Sequence, residues 1–376
     1  MTKVAVVGNT NRNLGAACAA DLALAGHEVR YFLFPESADQ LEVLKQRGGF
    51  EVVGNPGALY AGRIGMASLH AVCDRQSDAL EGAEVVLLDI PMPQLEQRFE
   101  PLIPLLARHA VVHVQSHGYW PAARLTPALA RAGRDDVLIT EAATPTHAVS
   151  LSEGVVTTGS LRRCVEVATV PGHRIDEALT RLKTLFPDFR KAPSVLQTGL
   201  ESLNLMVHPA MVLLGIGLIE QAGKKGENVR FYRECNVPSA GTLAEALDAE
   251  RGRVCHAYGV RHRTLPAAID HYYGTSGVSV YEAVLNCAAY QSFGAYPSTT
   301  WRGWESVDVP YAIVPLVRLA DQAGLAAPLH RALAEIFGVL LGIDPWAAGP
   351  TLQDMDLVGA PKELTRRYGG MNDKAD

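Results

Sequence analysis

At 376 residues, with 48% hydrophobic and 20% charged content, the chain has the make-up of a globular protein of about two domains that can bury a sizeable core. A formal net charge of −6 and the absence of a basic run argue against nucleic acid as the main partner. Six cysteines, at 18, 73, 164, 235, 255 and 287, form no C-x-x-C pair; they read as reduced packing residues, not as a disulfide frame or a metal site.

The chain enters a strand-like run at once, KVAVVG (3–8), so no secretory signal is expected and the expected location is cytoplasmic. LGAACAADLALAGHE (14–28) is alanine-rich and helical, with Gly26 as a C-cap before the strand EVRYFLF (28–34). Further strands are expected at FEVVG (50–54), EVVLLDI (84–90), AVVHVQ (110–115) and DVLITEA (136–142), with PLIPLLARHA (101–110) a helix between two of them. Strands alternating with helices predict an α/β fold, a Rossmann-like doubly wound parallel sheet. The wholly apolar VVLLDI fits a strand covered on both faces.

The second half changes character. Residues 197–224, 239–260, 264–273, 278–290, 309–323 and 326–341 carry helical periodicity with little strand signal. A boundary near residue 190 follows. Residues 1–190 are expected to be a Rossmann-type dinucleotide-binding domain, and 191–376 an all-α C-terminal domain for substrate and catalysis. The longest apolar run, LESLNLMVHPAMVLLGIGLIE (200–220), is expected to be too short to cross a membrane, which takes about 18 or more apolar residues. His208 and Pro209 interrupt it. Proline disturbs a helix interior, and a buried histidine needs a partner.

The first strand and helix are joined by GNTNRNLGAA, where a dinucleotide's pyrophosphate would meet a helix N-terminus. Gly8, Asn9, Asn11, Arg12, Asn13, Leu14 and Gly15 are the candidate cofactor contacts. The loop lacks G-x-G-x-x-G and runs about two residues long, so the asparagines are expected to stand in for glycine at left-handed positions. NAD-specific sites carry an acidic residue at the end of the second strand. Here that position, near Leu33, is apolar and Glu36 lies further on. With Arg12 able to meet a 2′-phosphate, NADP is favoured over NAD.

Three later stretches resemble the octopine/nopaline (opine) dehydrogenases: NLMVHPAMVLL (204–214), VRFYRECNVPSAGTLAEALDAERGRVCHAYGV (229–260) and DVPYAIVPLVRLADQAGLAAPL (308–329). They match that family's Asn-x-x-x-His-Pro, Phe-Tyr/Pro-Ser/Asp-x-Glu-Arg and Asp-x-Pro-Tyr-x-x-Val-Pro-Leu segments, in order. The resemblance implies NAD(P)H-dependent reduction of the imine formed by an α-keto acid and an amine, giving a secondary amine dicarboxylate. No metal and no membrane partner are expected, from the scattered cysteines and the short apolar run, and a homodimer is allowed for.

The resemblance also assigns roles. His208 is the general acid/base and Asp308 the aspartate that orients it. Histidine titrates near neutral pH, and a carboxylate on its other nitrogen fixes the tautomer. Asp308 would in addition serve as an N-cap before Val309-Pro310. Asn204, Glu141 and Arg302 are the candidate substrate contacts. Glu141 stands at a strand end, where open α/β sheets bind ligands. Arg302 would clamp a carboxylate, although it stands six residues before Asp308 where the family has its arginine five before. Tyr232 and Tyr281 read as packing or pocket walls. A reductase of a keto or hydroxy acid that needs no amine is the alternative, and a cofactor-binding protein without chemistry is a third.

Overall fold

The computed structural model describes residues 1–8 and 13–368. Contacts divide them into two compact units, one of residues 1–116 and 120–198, the other of residues 117–119 and 199–368.

The first unit runs β1 (Lys3–Gly8), α1 (Leu14–Leu24), β2 (Glu28–Leu33), α2 (Ala38–Arg47), β3 (Gly49–Gly54), β4 (Gly65–Ser68), β5 (Ala71–Cys73), α3 (Gln76–Leu80), β6 (Val85–Asp89), α4 (Leu95–Phe99), β7 (Val111–Val114), α5 (Pro121–Arg131), β8 (Leu138–Ala142), β9 (His147–Ser152), β10 (Val155–Leu161), β11 (Glu166–Val170), α6 (Ile175–Leu182) and β12 (Arg190–Lys191), and it takes in the start of α7 (Val195–Leu200). The main sheet has the order β12-β11-β8-β7-β6-β1-β2-β5. From β5 to β8 all neighbours are parallel, with Gly8 paired to Leu33 on one side and Asp89 on the other. This is the strand order of a dinucleotide-binding sheet, and the chain reverses direction across it between β1 and β6. The apolar run of β6 is buried at every position, as a strand covered on both faces requires. At the far edge β11 joins β8 antiparallel and β12 follows. That edge keeps the chain in the sheet unit as far as Thr198.

Two expectations change here. FEVVG is a strand, but it pairs with β10 and β4 in a separate four-stranded sheet. Its exposed Glu51 between buried Phe50 and Val52 is the alternation of a sheet with one wet face. PLIPLLARHA is not an α-helix. After α4 the chain makes a 3-10 segment, Glu100–Leu105, because Pro104 lacks the donor and the room that an α-turn needs. The sequence reading also passed over the β9–β10 hairpin, closed by Glu153 and Gly154 at φ +48° and +77°, a left-handed pair suited to a two-residue turn.

The second unit is helical: α8 (Val207–Lys224), α9 (Phe231–Glu234), α10 (Pro238–Ala257), α11 (Leu265–Tyr273), α12 (Val280–Asn286), α13 (Ala288–Ser292), α14 (Thr300–Asp308), α15 (Val314–Gln322) and α16 (Pro328–Leu341), with two short helices after them. A π segment, Val309–Ile313, joins α14 to α15. The run Leu203–Lys224 is long and apolar enough to cross a membrane by length and composition, contrary to the expectation, and 67% of its most apolar window is buried within the protein, as in a core helix. The His-Pro pair is not a flaw inside a helix. A 3-10 turn, Leu203–Leu205, precedes it and α8 starts at Val207. Pro209 falls in the first turn, where its missing donor would have had no partner in any case.

The Asp-x-Glu-Arg stretch is a structural clamp. Arg251, fully buried, donates to the Asp248 carboxylate at 2.6 and 2.9 Å and to the carbonyls of Leu200 and Arg263. Asp248 also accepts from the first amide of α11, at Leu265. Glu250 accepts from the amides of Leu329 and His330 and so caps α16 from another helix.

Candidate active site

The start of α8 and the end of α14 bring His208 and Asp308 together. Nδ1 of His208 lies 2.8 Å from Oδ2 of Asp308, and the two residues are only 8% and 2% exposed. A carboxylate accepts only, so Nδ1 carries the proton and Nε2 is the nitrogen left to exchange one. The other oxygen of Asp308 accepts from the Tyr119 hydroxyl and from the Asn204 amide at 3.2 Å, and the same amide reaches the Tyr119 oxygen at 3.0 Å. Three donors therefore offset the cost of burying one charge. Asn204, expected to touch substrate, spends its amide on holding Asp308.

Asp308 is not an N-cap. It sits at φ −59° and ψ −42° in a helix that continues through it, makes no cap bond and leads into the π segment. Such one-turn bulges admit an extra residue and are common at functional sites.

Around the imidazole stands an aromatic wall. Trp304 stacks on His208, with centroids 4.9 Å apart and planes 18° from parallel, and Phe231 meets the ring edge-on. The Tyr232 hydroxyl lies 2.8 Å from Nε2. Tyr281 does pack: its Cβ leaves room only for a hydrogen at Gly241 on α10. Glu305, one turn before Asp308, is fully buried, and neither carboxyl oxygen has a hydrogen-bond partner among the described residues. Burial first, and then the neighbouring charge of Asp308, push its pKa well above the carboxylate range.

Arg302 does not join this cluster. On α14, six residues from Asp308, it stands about 120° around the helix from that carboxylate. It is exposed, lies over the Trp301 ring at 4.7 Å and donates to the carbonyl of Leu340. The residues that share the face of Asp308 are its i−4 and i−3 neighbours, Trp304 and Glu305. That spacing could have been read from the sequence. Nothing around Tyr119 in the HGYW stretch signalled its part.

In the sheet unit Glu141 is fully buried. One oxygen accepts from Ala122, in the first turn of α5, at 2.8 Å and the other from the Thr198 hydroxyl at 2.6 Å. Burial lifts its pKa to about 7 against those bonds. It works as a borrowed cap for α5, whose own preceding residue, Trp120, makes no cap bond. His147 is also a core residue, held between Asp21 and Thr146 at 2.8 Å each.

The candidate cofactor turn begins with Gly8 at the end of β1. Asn9, Asn11 and Arg12 lie outside the described residues. Asn13 is right-handed, at φ −94°, not left-handed as expected, and its side chain reaches Val149 instead of capping α1. Leu14 opens α1. The Gly15 amide donates to Asp89 at 2.6 Å, and a Cβ there would stand 3.0 Å from that of Asp89, so a side chain at this position would crowd the end of β6. The first turn of α1 holds no acidic residue. A helix start at the central switch of the sheet, with a glycine close approach and no acidic residue of its own, fits a dinucleotide. At the end of β2, Leu33 is buried, and the Glu36 carboxylate is bound to Arg98, whose guanidinium lies 4.0 Å from the Phe34 ring centre.

A dinucleotide-type sheet unit followed by a helical unit that carries an oriented His–Asp pair defines a two-unit NAD(P)-dependent dehydrogenase. The family resemblance read from the motifs is borne out. Residues 191–341 match the family described as NAD/NADP octopine/nopaline dehydrogenase, alpha-helical domain. The chain is 26% identical over 351 residues to an opine dehydrogenase of Arthrobacter sp. (strain 1C), covering 92% of this chain and 93% of that protein. An octopine dehydrogenase structure with NADH and L-arginine has the same fold, at TM-score 0.72 and 19% identity over 94% of this chain and 96% of that one. An NADP+-bound yersinopine dehydrogenase follows at TM-score 0.68 and 14% identity, over 97% and 99%.

Proposed function

We propose that the chain is an NAD(P)H-dependent opine-type dehydrogenase. It condenses an α-keto acid with the amino group of an amino acid or related amine, and the imine is reduced to a secondary amine. The observation that carries this reading is the His208–Asp308 pair, with Nδ1 committed to a buried carboxylate and Nε2 left to exchange a proton. Condensation must deliver a proton to a leaving hydroxyl and later recover one, which suits an imidazole at neutral pH. Asp308 holds the ring's tautomer and balances the imidazolium; Tyr119 and Asn204 hold Asp308. When bound, NAD(P)H supplies the hydride. The opine dehydrogenase relative and the NADH–arginine and NADP+ complexes of the structural neighbours support the same chemistry.

On this reading residues 1–190 hold the dinucleotide, with Gly8, Leu14 and Gly15 at the pyrophosphate beside Asn9, Asn11, Arg12 and Asn13, and residues 191–376 hold the acid/base. NADP is the preferred cofactor, because Leu33 offers no carboxylate to the ribose and Glu36 is neutralised by Arg98. We place the protein in the cytoplasm, where its six unpaired cysteines stay reduced. Light scattering tests its assembly, for which a homodimer is the expectation.

The test is an NAD(P)H oxidation screen of keto acids against amines, with the product mass measured. A mass equal to both substrates minus water plus two hydrogens establishes reductive condensation. Oxidation with a keto acid alone, unchanged by any amine, overturns it in favour of a simple reductase.

A further inference from the structure

The nitrogen assigned to proton exchange is not open. Nε2 of His208 is met at 2.8 Å by the hydroxyl of Tyr232. That phenol does not stand there loosely. Its ring packs on Tyr290 at 4.7 Å and Phe293 at 5.3 Å between centroids, and edge-on against Phe231 at 5.1 Å. Tyr232 is 8% exposed, and of the rings around it Phe293 is half-buried. For a substrate to reach Nε2 directly, a tyrosine wedged among three rings would have to leave.

We propose that Tyr232 stays and hands the proton on, so that the acid/base of this protein is the Asp308–His208–Tyr232 chain and the phenol oxygen is the atom that faces the substrate. The inference rests on the opine-type reading. In the dehydration step the His208 imidazolium gives its Nε2 proton to the Tyr232 oxygen. Tyr232 gives its own hydroxyl proton to the hydroxyl of the carbinolamine. The C–O bond breaks, water leaves, and the nitrogen lone pair forms the C=N bond of a protonated imine, which now carries the positive charge. His208 ends neutral, Tyr232 ends a neutral phenol, and one proton has moved from Nε2 to the departing oxygen. A hydroxyl is both donor and acceptor, so it can pass a proton without ever carrying charge. With Asp308 keeping Nδ1 protonated, the direction of the Nε2 bond alone records which state the chain is in.

Tyr232→Phe keeps the ring and its packing and removes the relay atom. The first measurement uses the protein without substrate: the ¹⁵N resonance of His208 Nε2 should move toward the value of an unbonded ring nitrogen in the variant. An unmoved resonance overturns the contact, whatever the protein catalyses. The second uses the keto acid and amine that the wild type turns over: kcat should fall roughly 10²-fold with both KM values within about threefold. Should Tyr232→Phe fold poorly, fluorotyrosine incorporated at position 232 keeps size and shape while making the phenol more acidic, and kcat and its solvent isotope effect should change with fluorination. Wild-type kcat and pH profile in Tyr232→Phe, or kcat indifferent to fluorination, overturns the relay. A wild type that turns over no keto acid and amine pair is instead a failure of the functional reading, and the ¹⁵N shift still judges the contact.

Discussion

The imidazole of His208 lies flat on the indole of Trp304, 4.9 Å between centroids and 18° from parallel. The indole leaves the ring one plane in which to turn, and within it Asp308 fixes the angle. Replacing Trp304 with leucine frees the ring to tilt. Misplacement of a catalytic group by about 1 Å costs up to roughly 10²-fold, so kcat should fall by about 10- to 10²-fold with little change in KM. Steady-state kinetics check this; an unchanged kcat would mean that Asp308 alone orients His208.

Asp308→Asn keeps the size of the side chain but offers Nδ1 an amide that can present the wrong atom. In another His–Asp pair that change costs about 10⁴ in kcat through the wrong tautomer, and a loss of roughly 10³- to 10⁴-fold is expected here. Binding of NADPH, followed by fluorescence, should be unaffected. If kcat survives, Asp308 is a packing residue and the acid/base lies elsewhere.

Glu305 is a buried acid with no hydrogen-bond partner among the described residues and a pKa raised first by burial and then by Asp308. The folded state thus holds its proton to higher pH than the unfolded chain does. Stability tied to it is full at acid pH and is lost as pH rises above the ordinary glutamate value of 4.5. Glu305→Gln removes the titration. The variant's melting temperature relative to wild type should rise with pH from 5 to about 8; a difference that stays flat would mean that Glu305 is paired in solution.

Glu141 behaves alike in the sheet unit, with its pKa lifted to about 7 by burial. Between the unfolded value near 4.5 and 7, the folded state binds more protons and stability falls as pH rises. The full effect is roughly 3 kcal/mol, since each pKa unit is worth about 1.4 kcal/mol. Urea unfolding from pH 4.5 to 7.5 should show this slope in wild type and a shallower one in Glu141→Gln.

Arg98 carries a buried Nη1 with no hydrogen-bond partner among the described residues, beside the Glu36 pair. Guanidinium groups suit phosphate. Arg98→Met should weaken NADPH binding by about tenfold or more and NADH binding much less. Equal losses for both would remove Arg98 from cofactor choice.

The parallel strands of the main sheet were legible because strands buried on both faces are unbroken apolar runs, as β6 shows. The second sheet was not, because β9 and β10 carry polar residues on a wet face, and their turn, Glu153-Gly154, is a weak signal. The His208–Asp308 pair could be named from motifs, but the bonds that hold Asp308 come from Tyr119, Asn204 and His208, residues separated by up to 189 positions, and no periodicity reports them. Arg302 failed for the opposite reason: its spacing along the chain looked close enough, and the helix turned it away.

The widened turn after Asp308 gives the segment two phases. Residues before it keep one angular setting and residues after it another, offset by about 100° from what a continuous α-helix would give. Asp308 belongs to the first setting and points at His208; Tyr311, Ile313 and Val314 belong to the second and are buried in the core of the helical unit. Removing one residue here would satisfy the backbone and bring the two settings into step, and the chain could then keep either its carboxylate or its core in place, but not both.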